Sequence, residues 1–291
     1  MVKTMTDAWK LLRIPFSVFL MPVYWFALSA APVLLPWRAV AVFIILHLLV
    51  YPASNGYNSY YDRDETSIGG LRNPPKVTQT LYWLVLFLDV LSVVLSLLLS
   101  RVFASMVLVY LLISKAYSYE GIRLKKYPFL STCLVAFFQG AFTFVMIQWG
   151  SGVPAPLIWQ PSNLLLGAVS SFLLAGSFPL TQIYQHQEDR ARGDETLSLV
   201  LGLEGSFRFA AANFCLAIAL LLYTYWQRHE AGYSLLFLLC ILPVAYIFLH
   251  WWRHVQQDAS AADFDHSMQM NTASSLSLTL AFLLILSVQH W

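Results

Sequence analysis

Two short polar segments hold most of the chemistry this chain can offer. The first reads Pro52-Ala-Ser-Asn-Gly-Tyr57-Asn58-Ser-Tyr-Tyr-Asp62-Arg63, and the second Pro179-Leu-Thr-Gln-Ile-Tyr184-Gln185-His-Gln-Glu-Asp189-Arg190. Pro, Tyr, Asp and Arg recur at the same offsets, with Ser/Thr and Asn/Gln exchanged between the copies. In each copy an amide precedes an aspartate by four positions, so both side chains fall on one helical face. Carboxylate and amide oxygens repeated in this way point to a site for divalent cations and a phosphorylated ligand.

Charged residues gather beside both segments. One loop carries Asp64, Glu65, Arg72 and Lys76 around Gly69-Gly70 and Pro74-Pro75. A second holds Tyr119, Glu120, Arg123, Lys125 and Lys126, and a third Arg190, Arg192, Asp194, Glu195 and Thr196. Loops between apolar spans need only be polar, so solvation accounts for many of these charges. Their clustering beside the repeats fits acids that hold Mg2+ and basic side chains that bond phosphate oxygens directly.

The chain that must position these groups is 58% hydrophobic and 11% charged over 291 residues, with mean hydropathy +0.63. Soluble domains carry about 25% charged residues, so the composition predicts an all-α integral membrane protein. Apolar stretches of spanning length fall near 14–35, 37–56, 79–100, 102–119, 128–150, 163–184, 206–226, 232–252 and 270–289. Only Arg101 parts the third from the fourth. The repeats end the second and sixth spans, which gives two four-helix pseudo-repeats plus a final helix in one bundle, a single domain over 1–291. Ligands of such duplicated bundles bind at the repeat interface. Pro52 and Pro179 each remove a backbone donor ahead of a segment, and both helices are expected to kink there.

Lys3, Lys10, Arg13, Arg63, Arg72, Lys76, Arg123, Lys125, Lys126, Arg190, Arg192, Arg208 and Arg253 fall on one side of these spans. Only Arg38, Arg101 and Arg228 fall on the other, with Lys115 near the inner end of its helix. The positive-inside rule then places the N terminus and both segments in the cytoplasm. Cys133, Cys215 and Cys240 lie in apolar runs without ligand spacing, so neither a disulfide nor a zinc site is expected. The first apolar run is too long for a signal peptide and reads as a span. No nucleic-acid partner is expected.

In these residues the chain resembles the UbiA superfamily of intramembrane prenyltransferases. That family has a nine-helix bundle with aspartate-rich motifs at the cytoplasmic ends of its second and sixth helices. Its first motif, N-D-x-x-D-x-x-x-D, is matched by Asn58-Ser59-Tyr60-Tyr61-Asp62-Arg63-Asp64-Glu65-Thr66. Its second, D-x-x-x-D with a basic stretch and G-x-x-T, is similar to Gln185 through Asp189, Arg192, Gly193 and Thr196. Tyr119 and Arg123, followed by Lys125, stand for its Tyr-x-x-x-Lys element. Ser59, Thr66 and Gln185 depart from the motifs, each removing a carboxylate.

The resemblance implies Mg2+-dependent transfer of an isoprenoid from a prenyl diphosphate to a lipophilic, aromatic acceptor within the lipid membrane. Asp62 and Asp189 become the catalytic aspartates. Asn58, Asp62, Gln185 and Asp189 are the implied metal ligands, with Asp64, Glu65 and Glu188 in reserve. Arg72, Lys76, Tyr119, Arg123, Lys125 and Arg192 are the implied substrate contacts. Tyr57, Tyr60, Tyr61, Phe138, Phe142, Phe178 and Tyr184 could shield an allylic cation, although interfacial anchoring also explains aromatic side chains there. Two further readings stay open: a terpene cyclase on the same scaffold, and a non-catalytic carrier of prenyl diphosphates. Asp89 and Lys115 stand inside spans, where an ionisable group faces a cavity or a partner. Gln139 and Thr143 have the spacing of one helical face, and His186 could take a proton from an acceptor. Asp258, Asp263, Asp265 and His266 lie in the last polar loop.

Overall fold

A computed structural model of the protein describes residues 2–289, leaving aside the side chains of residues 2, 3 and 192. Every regular element in it is helical. In chain order these are α1 (Val2–Leu11), a 3-10 segment (Ile14–Leu20), α2 (Met21–Ser29), α3 (Pro36–Ile44), α4 (Tyr51–Asp62), α5 (Gln79–Leu99), α6 (Arg101–Ser118) and α7 (Pro128–Val135). There follow α8 (Thr143–Gly150), α9 (Ala155–Ile158), α10 (Pro161–Gln182), α11 (His186–Arg192), α12 (Leu197–Gln227), α13 (Ala231–Gln257) and α14 (Phe264–Gln289). Joined across irregular turns, they make nine helices among the described residues that are long and apolar enough to cross a membrane. The protein is therefore an integral, multi-pass membrane protein.

The first span departs most from expectation, running Thr4–Ser29. Pro32 disfavours helical backbone at the residue before it, which ends the span early. The third and fourth spans part at Ser100, whose backbone is extended (φ −166°, ψ 153°) and whose hydroxyl accepts from the Phe103 N–H at 3.0 Å. Such an N-cap is worth about 1 kcal/mol, and it settles a boundary that hydropathy leaves soft.

Both kinks expected from proline take the form of irregular helix. A π turn, Ile45–Val50, precedes Pro52, which cannot donate to the carbonyl one turn back. Pro179 lies within α10, which gives way to a 3-10 turn at Ile183–Gln185. A second π turn, Ala136–Phe142, joins α7 to α8 and contains Gly140 (φ −94°, ψ −106°). A Cβ at Gly140 would lie 2.6 Å from Ser171 Cα, so only glycine allows this approach to α10. The π turn also removes the regular register on which Gln139 and Thr143 would share a face. Thr143 instead bonds the Phe138 carbonyl at 2.6 Å.

The chain divides into two compact units. The first holds the chain up to Val18, Leu34–Lys125 and Trp149–Gly152. Its core packs Ala8, Leu11 and Leu12 against Ala53 and Tyr57 of α4 and Leu81, Val85 and Leu88 of α5. The opposite face of α5 leaves Trp83, Phe87, Val90 and Leu98 at 61–74% exposure, an apolar surface suited to lipid. The second unit holds Phe19–Val33, Lys126–Gln148 and the chain from Val153 on. Leu180, Phe207, Ala210, Phe248, Trp251 and Met270 form a core there. The Trp251 indole donates to the Ala261 carbonyl at 2.7 Å, and Phe26 stacks on Phe282 at 4.2 Å.

Candidate active site

In the first unit, α4 stops at Asp62 because Arg63 adopts a left-handed C-cap (φ 50°, ψ 43°). Asn58 and Asp62 share the face that their spacing predicts. Asn58 Nδ2 donates to Asp62 Oδ2 at 2.8 Å and to Ser118 Oγ of α6 at 3.0 Å. The loop after α6 turns through Arg123, also left-handed (φ 45°), and brings the Lys125 ammonium onto Asp62 Oδ1. These two side chains are 13% and 7% exposed. Asp64 and Arg123 lie within electrostatic range of the same carboxylate. Tyr119 meets Tyr61 edge-on at 5.6 Å, and Tyr61 contacts Tyr57 and Tyr60 at 4.8 and 5.4 Å. Glu65, Arg72 and Lys76 stand exposed in the following loop.

One turn deeper in α6, Lys115 bonds both carboxylate oxygens of Asp89 on α5 at 2.9 Å. Its ammonium also lies 4.7 Å from the centre of the Tyr57 ring. The two charges within the spans thus answer each other.

In the second unit, Gln185 closes the 3-10 turn and serves as N-cap of α11. Its four-residue spacing from Asp189 therefore crosses a change of helix type, unlike the Asn58–Asp62 pair. Asp189 Oδ2 accepts the Thr196 hydroxyl at 3.2 Å, and the Asp194 N–H donates to the Asp189 carbonyl at 2.9 Å. Glu188 is half-buried on the same turn. The side chain of Arg192 lies outside the described residues.

His186 turns toward α12, where its Nε2 lies 2.8 Å from Ser198 Oγ and Ser198 Oγ lies 2.9 Å from Ser206 Oγ. Ser206 donates to the Gly202 carbonyl at 2.7 Å. Phe138 packs on Phe142 at 5.0 Å, and Tyr184 on Phe264 at 5.3 Å. Two acids of the last polar loop act as caps: Asp258 accepts from the Ser260 N–H and Asp263 from the His266 N–H. The Ser260 N–H holds the Asp258 carboxyl below its ordinary range.

The spacing argument did not find Ser118, Ser198 or Ser206, none of which belongs to either repeated segment. Each acquires its role through a partner on another helix or across a turn.

Every candidate metal ligand is a carboxylate or amide oxygen, the hard donor class that Mg2+ prefers. Among the described residues, no three acidic, His or Cys side chains converge into a cage. Mg2+ needs none: it keeps several waters and takes other ligands from phosphate. Gln185, Glu188 and Asp189 carry oxygens of that class on one turn, and so does Asp62, whose two oxygens Lys125 and Asn58 engage in this structure.

The sequence matches the UbiA prenyltransferase family over residues 19–274. Among solved structures, the apo form of a UbiA homolog from Aeropyrum pernix K1 is similar at 17% identity and TM-score 0.70, over 93% of this chain and 98% of that one. A UbiA homolog from Archaeoglobus fulgidus bound to DMAPP and Mg2+ is 17% identical with TM-score 0.69, over 97% and 99%. A structure concerning digeranylgeranylglyceryl phosphate synthase is 15% identical with TM-score 0.64, over 98% and 99%. A search of the curated proteins finds no match. Structural likeness at such identities establishes the fold. The family match spans most of the sequence, and on that ground the chain belongs to the UbiA prenyltransferase family.

Proposed function

We propose that the protein transfers an isoprenoid from a prenyl diphosphate to a lipophilic acceptor inside the membrane, in a reaction that requires Mg2+. The observation that carries this reading is the placement of Lys125 and Arg123 around a buried carboxylate where apolar spans end. A ligand with an anionic head and a hydrocarbon tail matches that junction. The Archaeoglobus homolog binds DMAPP and Mg2+, which supports the same substrate class.

Lys125 and Arg123, joined by Arg72 and Lys76, bind the diphosphate oxygens. An ammonium has three donors, so Lys125 can keep one on Asp62 and turn the others to phosphate. A Mg2+ ion held by Gln185, Glu188 and Asp189 supplies, when bound, neutralisation of the charge on the departing diphosphate. Thr196 orients the Asp189 carboxylate for that task. Tyr60, Tyr61 and Tyr119 offer ring faces to an allylic cation, each worth about 0.5–2 kcal/mol. Tyr57 serves packing, since Lys115 already covers its ring. The apolar walls keep water from quenching the cation, and the mouth opens to the cytoplasm.

An aromatic ring is the proposed acceptor, and the likeness to a digeranylgeranylglyceryl phosphate synthase structure makes a glycerol-based acceptor the first comparison. The loss of acids at Ser59, Thr66 and Gln185 favours one second reading, a terpene cyclase. The test uses purified protein, Mg2+ and allylic diphosphates of increasing length, with and without each acceptor. Diphosphate release and organic products are both read. Release that needs an acceptor supports transfer, a cyclic product without one supports the cyclase, and binding without release leaves a carrier. EDTA should stop release and added Mg2+ restore it. Asp189→Ala should slow it by about 100-fold or more, and a wild-type rate in that variant sinks the site.

A further inference from the structure

We infer that Arg13 and Phe16 are positioning residues for the diphosphate: they seat the loop that follows α4 on the helix that carries Asn58 and Asp62. Arg72 and Lys76 belong to that loop, so this step rests on the reading that they bind the diphosphate, and deepens it.

Three observations carry it. The Arg13 guanidinium spans two separate stretches of backbone: Nη1 donates to the Gly69 carbonyl and Nη2 to the Asn55 carbonyl, each at 3.3 Å. Asn55 lies on α4, about two turns before Asp62, and Gly69 in the loop, so the fork ties one to the other. A lysine, with a single compact ammonium, cannot reproduce that fork. Phe16 supplies the second contact. A Cβ on Gly69 would fall 2.6 Å from Phe16 Cζ, and one on Gly70 2.9 Å from Phe16 Cδ2, so the ring lies directly against both glycines. The guanidinium stands 5.5 Å from the centre of the same ring. Backbone strain is the third. Arg13 has a positive φ (49°), which a non-glycine residue keeps only where its surroundings over-determine it. Its turn is closed by the Phe16 N–H on the Arg13 carbonyl at 2.8 Å, and it delivers both side chains to one loop.

From that seat the loop is fixed as far as Arg72. Ile68 and Leu71 exchange backbone bonds at 2.9 and 2.8 Å around Gly70, whose φ of 79° makes the turn, and Ile68 is 3% exposed. The Ser67 hydroxyl then donates to the Arg72 carbonyl at 2.9 Å. Neither Arg13 nor Phe16 has to meet the substrate for this to matter. Seating decides how many molecules present Arg72 and Lys76 in register. Where only a fraction is seated, apparent affinity for the diphosphate falls by that fraction, while turnover of the bound complex is kept.

The test measures binding of geranyl S-thiolodiphosphate, an analogue that does not ionise, to the full chain in nanodiscs with Mg2+. Diphosphate release from geranyl diphosphate is read in parallel, under the conditions that support it in wild type. Arg13→Ala and Arg13→Lys should both weaken binding about tenfold, with kcat held within about threefold. Amide hydrogen exchange at Ile68 and Leu71 should quicken in the same variants. Gly69→Ala should act likewise by driving the ring away. In a Phe16→Leu background, which lacks Cζ and both Cε atoms, the same substitution should change affinity by less than about twofold. Thermal unfolding checks that each variant is folded, and the Gly69 pair carries the test where Arg13→Ala does not fold. Wild-type affinity in Arg13→Lys would make charge and not the clamp the cause, and overturns the proposal. So does a kcat that falls in step with affinity, or a Gly69→Ala effect that is the same in both backgrounds. Each of these leaves the prenyl-diphosphate reading standing, whereas wild-type protein that binds no analogue overturns both.

Discussion

Lys115 and Asp89 meet inside the membrane-spanning part of the first unit, with both carboxylate oxygens at 2.9 Å and side chains 18% and 14% exposed. Removing one partner leaves the other charged where water is scarce. Lys115→Met should therefore lower stability by about 3–5 kcal/mol. Replacing both, as Lys115→Met/Asp89→Asn, should recover most of that loss, because no uncompensated charge remains. Thermal unfolding in detergent gives the comparison, and equal stability of the single and double variants would remove the ion pair from the account. At this scale the sequence was informative in part. An acid within a span announces a need for a partner, but nothing in the periodicity names a lysine 26 residues away. Asn58 and Asp62 were readable because a regular helix fixes the relation of residues four apart. The bond from Lys125 to Asp62 was not, since it depends on a left-handed turn at Arg123.

The spans themselves were readable from hydropathy, because a bilayer demands long apolar helices whatever their packing. Irregular segments were less so. Proline marked two of them in advance, yet whether the chain answers with a π turn, as before Pro52, or a 3-10 turn, as after Pro179, is decided by neighbours. Gly202 gave no warning at all. It interrupts α12 with φ 69° and ψ −179°, a conformation essentially reserved for glycine. The break brings Ser206 Oγ within 2.9 Å of Ser198 Oγ, eight residues earlier, which a continuous helix would hold about 12 Å away along its axis. Gly202→Ala should cost about 1–3 kcal/mol, although nothing lies within 4 Å of the added Cβ. The strain is one of backbone and not of space. Gly140→Ala tests the opposite cause, a Cβ driven into Ser171, and overpacking there should cost about 1–3 kcal/mol. Denaturation midpoints of the two variants give the readout. An unchanged midpoint for Gly202→Ala would mean that the break is not a required feature of α12.

Across the whole molecule, the distribution of charge argues for a membrane orientation. The loops that follow the second, fourth, sixth and eighth spans carry Arg63, Arg72, Lys76, Arg123, Lys125, Lys126 and Arg192. Those that follow the first, third, fifth and seventh carry Arg228, with Arg38 and Arg101 just inside the spans that begin there. Lys and Arg in short loops are retained in the cytoplasm, so the loops beside both polar segments should lie there. That side also suits a prenyl diphosphate, whose charged head cannot cross a bilayer unaided. The prediction can be read with single cysteines in a background where Cys133, Cys215 and Cys240 are replaced by serine. Asn73→Cys reports on the loop after the second span, and Val33→Cys, 55% exposed, on the loop after the first. A membrane-impermeant maleimide should label Val33→Cys in spheroplasts and Asn73→Cys only in inverted vesicles. The reverse pattern would put the substrate entrance outside the cell, and the diphosphate would then have to be supplied from there.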